Sequence, residues 1–261
     1  MFRPCIDIHN GRVKQIVGGS LRDAGDRAEE NFVSEYAAAD YAGKYKRDGL
    51  KGGHIILLNG KDSPYYEASK KEALAALKAY PGGLQIGGGI TPGNAQEFLD
   101  AGASHVIVTS YLFPDGELSM ERLQKMCDTV GREHLVIDLS CKLVNGSYTV
   151  VSNRWQYVTK MKLNRTLLNA LTPYCDEFLI HGVDVEGKKK GPARGLLRIL
   201  SGYRRENTIT YAGGIHTISD IRLIEEISDG RLGYTVGSAL SLFGGEIPYE
   251  ALLPKKKQNR R

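Results

Sequence analysis

Gly87-Gly88-Gly89-Ile90-Thr91-Pro92 and, far downstream, Ala212-Gly213-Gly214-Ile215-His216-Thr217 read alike. Each closes a short apolar run, Leu84-Gln85-Ile86 in one case and Ile209-Thr210-Tyr211 in the other. Each is followed by a helix-start signal. Thr91 precedes Pro92, and proline is favoured at the first helical position; Thr217-Ile218-Ser219-Asp220 is a capping pattern. A strand that ends in glycines and turns into a helix presents bare N–H groups, and with the helix dipole these favour an anion, phosphate above all. Either turn alone reads equally well as a bend that needs glycine for its backbone. The pair, each followed one strand later by Ser110 or by Gly237-Ser238, points to a ligand carrying two phosphates.

The likeness extends past the glycines. Gly102 and Val106-Ile107-Val108-Thr109-Ser110 are echoed by Gly230 and Tyr234-Thr235-Val236-Gly237-Ser238, and Cys5-Ile6-Asp7-Ile8 by Val136-Ile137-Asp138-Leu139. The offsets are about 125 to 131 residues, half the chain, which is duplication and not a solenoid. Short apolar runs beginning near Phe2, His54, Leu84, Val106, His134, Phe178, Ile209 and Gly233 alternate with helical patterns. Parallel β/α units follow from that alternation. With two similar halves, a closed (β/α)8 TIM barrel is preferred over an open doubly wound sheet. The expected organisation is one domain over residues 1–253, in half-barrels of about 1–130 and 131–253, with a basic disordered tail at 254–261.

Local signals add detail. Asn10-Gly11 between Phe2–Ile8 and Arg12–Val17 predicts a hairpin, as does Asn145-Gly146 within 141–151. Residues 18–30 form a long polar connection that reads as a lid or as a surface loop. A helix is predicted over 34–48, with Tyr36, Ala37, Tyr41 and Tyr45 on one side, and Ser69-Lys70-Lys71-Glu72 reads as a capping box.

Composition sets bounds. Of 261 residues, 41% are hydrophobic and 25% charged, ordinary for a globular protein. No apolar run approaches the roughly 18 residues of a membrane span. Phe2–Ile8 reads as a strand from the outset, which leaves no signal peptide, so the cytoplasm is the expected compartment. Cys5, Cys127, Cys141 and Cys175 lack metal or disulfide spacing, and the six histidines form no cluster; no metal is expected. The net charge of +5 is matched by five cationic side chains in Lys255–Arg261 alone, so no nucleic-acid partner is expected.

In such a barrel the chemistry gathers at the carboxyl ends of the strands. Asp7 on strand one and Asp138 on strand five occupy repeat-equivalent places across the mouth. One could remove a proton while the other donates one, if their surroundings push the pKa values apart; the competing reading is two loop-capping aspartates. Trp155, the only tryptophan, follows the second hairpin and either stacks on a planar part of the ligand or fills a gap. His181 ends strand six as a ligand contact or a satisfied core histidine, and Lys188–Lys190 reads as an anion-attracting or merely solvated loop.

Taken together, Ile6-Asp7-Ile8-His9-Asn10-Gly11-Arg12-Val13-Lys14-Gln15, Gly87-Gly88-Gly89-Ile90, Val136-Ile137-Asp138-Leu139-Ser140 and Ala212-Gly213-Gly214-Ile215 resemble the ProFAR isomerases of histidine biosynthesis, most closely their eukaryotic-type branch. The resemblance covers nearly the whole chain. It implies a monomeric, cofactor-free (β/α)8 enzyme that performs an Amadori rearrangement on a sugar with a phosphate at each end. Asp138 then takes the general-acid place and Asp7 the general-base place, with Asp138 expected in a drier or hydrogen-bonded setting. Gly88, Gly89, Ser110, Gly213, Gly214, Gly237, Ser238, Trp155 and His181 fall to substrate and phosphate. Two departures from bacterial members stand out: no D-x-R run follows Asp138, and Gly182 replaces the threonine after His181. The cyclase of imidazole glycerol phosphate synthase shares both aspartates but has a lysine after its hairpin's paired valines, where this chain has Lys14-Gln15 in another register. Phosphoribosylanthranilate isomerase uses a cysteine base on strand one, which makes Cys5 a candidate. A non-catalytic phosphosugar- or nucleic-acid-binding barrel is the contrasting class.

Overall fold

The computed structural model describes residues 1–254 apart from 18, 23 and 189. All but the first residue of the tail expected at 254–261 therefore lies outside the described residues. The chain enters β1 (Cys5–His9), turns through Asn10-Gly11 into β2 (Arg12–Ile16), and after a long loop adds β3 (Glu30–Val33). Then follow α1 (Ala38–Arg47), β4 (Gly53–Leu57), α2 (Tyr66–Ala79), β5 (Leu84–Gly87), α3 (Ala95–Asp100), β6 (Val106–Val108), α4 (Met120–Val130) and β7 (Leu135–Asp138). A three-stranded antiparallel sheet, β8 (Cys141–Val144), β9 (Ser147–Ser152) and β10 (Tyr157–Lys162), precedes α5 (Arg165–Leu171). The remainder is β11 (Glu177–His181), α6 (Arg194–Ser201), β12 (Thr208–Ala212), α7 (Ile218–Ser228) and β13 (Gly233–Tyr234).

β1, β4, β5, β6, β7, β11, β12 and β13 pair in that order, all parallel. The ring closes where Phe2 bridges Tyr234, with Arg3 N donating to Tyr234 O at 2.9 Å and Tyr234 N to Met1 O at 3.0 Å. The fold is a (β/α)8 barrel. Its helices bury one face each: Leu196, Leu197 and Leu200 of α6, or Leu123, Met126 and Val130 of α4, cover the strands. Two 3₁₀ turns, Ser241–Phe243 and Tyr249–Leu252, follow β13 where an eighth helix would stand. Phe243 stacks on Tyr41 and meets Phe32, while Tyr249 packs on Phe2 and Tyr45, so aromatic rings close that side.

Along a barrel strand every second side chain points inward, and the interior is ordered by that rule. Near the amino ends, Glu177 accepts from Arg3 at 2.5 Å, from Gln85 at 2.8 Å and from Thr210 at 2.5 Å. Two residues further along β11, Leu179 joins Ile107 and Val136 in a small apolar plug, with Ile56 against it. One more step of two reaches His181 on β11 and Asp138 on β7. The same alternation thus places a polar floor, an apolar plug and a polar mouth.

Several local expectations are corrected. α3 starts at Ala95, not at Pro92, because Thr91–Asn94 is spent in a turn in which Asn94 Oδ1 accepts from Thr91 N at 2.8 Å. Ser69–Glu72 lies inside α2 instead of opening it. Ser69 Oγ accepts from Gly11 N at 2.9 Å and donates to Asn59 at 2.7 Å, and Glu72 accepts from Ala38 N at 2.9 Å, so these residues clamp the first hairpin and α1. Tyr36 and Ala37 precede α1 and are exposed, since the Ser34 hydroxyl bonds Tyr36 N and O in a local turn. β3 and β10 were not expected; both are added strands held by partners chosen in three dimensions.

Removing the Glu177 carboxylate strands Arg3 in the floor, and breaking such a pair typically costs about 3–5 kcal/mol. Glu177→Ala is expected to lower the unfolding free energy by about 3 kcal/mol in urea titration, with anion binding at the far mouth unchanged.

Candidate active site

A cleft of about 520 Å³ lies at the carboxyl ends of the barrel strands, within the roughly 300–1,000 Å³ usual for small-molecule sites. Asp7, Asp138, Trp155, His181, Gly88, Gly89, Ser110, Gly213, Gly214, Gly237 and Ser238 all line it. The two aspartates, the glycine turns, the two serines, Trp155 and His181 therefore stand around one cavity, whereas Lys188 and Lys190 do not line it. Asp7 comes from β1 and Asp138 from β7, the first and fifth strands of the ring, on opposite walls.

The two carboxyls sit in different surroundings. Asp138 accepts from Ser140 Oγ at 2.9 Å and from Thr109 Oγ1 at 3.2 Å, and His181 Nδ1 lies 3.5 Å from its Oδ1. Asp7 has a single amide donor, Gln15 Nε2, at 3.0 Å from Oδ2. Burial pushes the Asp7 carboxyl up to about 7, helped by the neighbouring Glu186 and opposed by His181 and by the Gln15 bond. The setting expected around Asp138 is thus the hydrogen-bonded one, and Asp138 is also the more buried of the two; Asp7 is half-buried at the cleft wall. His181 is held above its ordinary range: burial works against its charge, but Asp138, Glu186 and Asp7 outweigh it. His181 is accordingly no satisfied core histidine; its ring stands among the carboxyls of Asp138, Glu186 and Asp7. Across the cleft His54, buried and facing His181 at 6.4 Å between ring centres, is pushed down to about 3 and stays neutral.

The glycine turns repeat each other in backbone geometry as well as in sequence. Gly88 and Gly89 have φ of 102° and 68°, Gly213 and Gly214 of 116° and 72°. A Cβ on Gly88 would collide with the Leu57 carbonyl oxygen, and one on Gly213 would stand 2.7 Å from that of Gly182. Both turns are therefore glycine for φ and for room, and their bare edges face the cleft. Ser110 accepts from Asn153 N at 2.9 Å, which keeps its hydroxyl proton available to an anion.

Trp155 sits at the turn between β9 and β10. Asn153, Arg154 and Trp155 have φ of 49°, 54° and 66°, a left-handed run that costs about 1–2 kcal/mol per residue. Specific bonds hold it: Trp155 Nε1 donates to Ser140 Oγ at 3.0 Å and Lys142 Nζ to Trp155 O at 3.1 Å. The indole also lies 5.8 Å from the His181 ring, so it faces the site and not a gap beneath the hairpin. In the loop after β2, Asn59 Nδ2 donates to Asp26 Oδ1 and Asn10 Nδ2 to Asp26 O, both at 3.2 Å, which anchors its end at the rim. Lys188 and Lys190 are exposed, and Lys189 lies outside the described residues.

Sequence reasoning missed Gln15, His54, Glu186, Thr109 and Ser140. Ser140 and Thr109 flank predicted site residues and could have been found by adjacency. Glu186, in the loop after β11, had no local signal. Cys5 lines the cleft, but burial first, and then Asp7, hold its thiol well above the ordinary range, so it cannot serve as a thiolate base. Among the described residues no group of three or more His, Cys, Asp or Glu is arranged to hold a metal, and no helix is long and apolar enough to cross a membrane.

Comparison with known proteins agrees with this architecture. Residues 1–248 match the family described as histidine biosynthesis protein. The chain is 47% identical to the chloroplastic 1-(5-phosphoribosyl)-5-((5-phosphoribosylamino)methylideneamino)imidazole-4-carboxamide isomerase of Medicago truncatula, over 99% of this chain and 82% of that one. It is 44% identical to the Neurospora crassa isomerase of the same name, over 94% and 93% of the two chains, and 40% identical to that of Saccharomyces cerevisiae, over 94% of each. With its barrel, its doubled glycine turns and its opposed aspartates, the chain belongs to the histidine biosynthesis protein family.

Proposed function

We propose that this protein is an aldose–ketose isomerase that converts ProFAR to its ribulosyl isomer, as the names of its relatives indicate. The observation that carries the site assignment is the placing of Asp7 and Asp138 on opposite walls of one cleft whose two ends are matched glycine turns. A substrate with a phosphate at each turn lays its aminosugar between the carboxyls. Asp138, with His181 Nδ1 3.5 Å from its carboxyl, protonates the ribose ring oxygen, which opens the ring to a protonated imine. Asp7 takes the proton from C2, and the enolamine returns a proton to C1 as the C2 hydroxyl becomes the ketone, so no proton is consumed overall. A base titrating at about 7 is half ionised near neutrality, where proton abstraction is most efficient. The neutral amide of Gln15 beside Asp7 and the inert Cys5 thiol both favour this reading over the cyclase and the anthranilate-type isomerase. Residues 1–253 are read as one domain of two half-barrels, acting as a monomer without cofactor; the free cysteines suit the cytoplasm.

Incubating the protein with ProFAR, without glutamine or ammonia, is expected to yield the ketose product; no turnover would remove the assignment. Asp7→Asn and Asp138→Asn should each lower kcat by about 1,000-fold or more while retaining bisphosphate binding by calorimetry. For wild type, kcat/KM should rise with pH through an acid limb near 7, where Asp7 ionises. The fold favours the protonated form of Asp7, so its stabilising contribution is full below the ordinary 3.8 and lost as pH rises through about 7. Asp7→Asn should therefore raise the melting temperature at about pH 8 and barely change it at about pH 4.

A further inference from the structure

We infer that Gln15 is a positioning residue for Asp7: wedged against Gly237, its amide holds one carboxylate oxygen and so aims the other at the substrate carbon. The inference rests on Asp7 as the base and adds the part that orients it.

Gln15 stands on β2, the strand that hairpins back from β1 with Ile8 opposite Val13 and His9 opposite Arg12. That return brings a side chain eight positions later in sequence over Asp7, and Gln15 is only 4% exposed. Its Nε2 lies 3.0 Å from Asp7 Oδ2 and 3.8 Å from Cys5 Sγ. The other end of the amide is fixed as well: a Cβ added to Gly237 would collide with Gln15 Oε1. Gly237 does not have a positive φ, so its lack of a side chain is a matter of room, and the room is filled by this amide. Gly237 thus has a second duty beside the phosphate turn after β13: it lets Gln15 lie flat between that turn and Asp7.

The residue type matters. A carboxylate held by one oxygen is biased towards one orientation, which leaves the other oxygen turned to the carbon it must deprotonate. An amide supplies that direction without a charge. A cation in its place would hold the oxygen too, but would favour the ionised form so strongly that the base would weaken. The groups facing Asp7 are Glu186 from the loop after β11, His181 from β11, Cys5 from β1 and Gln15 from β2; among these Gln15 is neutral and donates a hydrogen bond to the carboxylate.

The test pairs kinetics on ProFAR with a ¹³C NMR titration of the Asp7 carboxyl in the free protein. Gln15→Met should lower kcat about 100-fold, as expected for a misaimed reacting group, with KM changed less than about twofold. The acid limb of kcat/KM and the Asp7 resonance should both move to higher pH, because the lost bond favoured the ionised form. Gln15→Lys should move both to lower pH. Gly237→Ala should reproduce the upward shift of the resonance by pushing the amide away. If Gln15→Met does not fold, Gln15→Glu, of the same shape, should show the upward shift. An unmoved Asp7 resonance in Gln15→Met or Gln15→Glu, or a loss confined to KM, overturns the inference while leaving Asp7 as base. Near-wild-type turnover in Asp7→Asn overturns both.

Discussion

Closure of the sheet commits every second side chain of eight strands to one narrow interior, and that interior can be filled in only one order. Charge at the amino end must be neutralised on the spot, as Arg3, Gln85 and Thr210 do for Glu177. The middle must be dry, as Ile107, Val136 and Leu179 make it. What remains at the carboxyl end is the mouth, reached two residues beyond the plug on β7 and on β11. Asp138 and His181 belong to the site because Val136 and Leu179 belong to the plug.

The plug also explains the electrostatics above it. It keeps water from reaching the mouth from below, so carboxyls there pay for burial and must find partners or keep protons. Asp138 finds them in Ser140, Thr109 and His181. Asp7 is pushed up instead, by burial and by Glu186 close by, against His181 and the single Gln15 bond. Two aspartates from equivalent places in a duplicated chain have thereby become chemically unlike, and the difference comes from side chains that the duplication does not share. Gln15 follows the first aspartate by way of a hairpin onto β2; Ser140 follows the second on the way to β8.

The same asymmetry separates the two halves elsewhere. The glycine turns have kept a common backbone, with matching positive φ at both pairs, and a side chain on the first glycine of either pair would meet the carbonyl of Leu57 or Gly182. The connections have not. The first half sends out β2 and β3, held by the clamp of Ser69 on Gly11; the second sends out β8, β9 and β10, with Trp155 at the tip. The glycine turns answer to a shared geometric demand, while the walls between them are free to diverge.

Sequence by itself determined the barrel, the two glycine turns and the strand-end places of the aspartates, because each of these is written in contiguous residues: an apolar run, a glycine pair, a strand-end carboxyl. Helix starts were read less well where a side chain had a distant use, as Ser69 does in bonding Gly11 and Asn59. Only the tertiary structure decided that the Asp7 carboxyl is pushed up to about 7, that His181 is held above its ordinary range and the Cys5 thiol well above its own, and that Gln15, His54 and Glu186 share the cleft. Those properties depend on desolvation and on charges a few ångströms away from other strands, and neither is encoded in the neighbours along the chain.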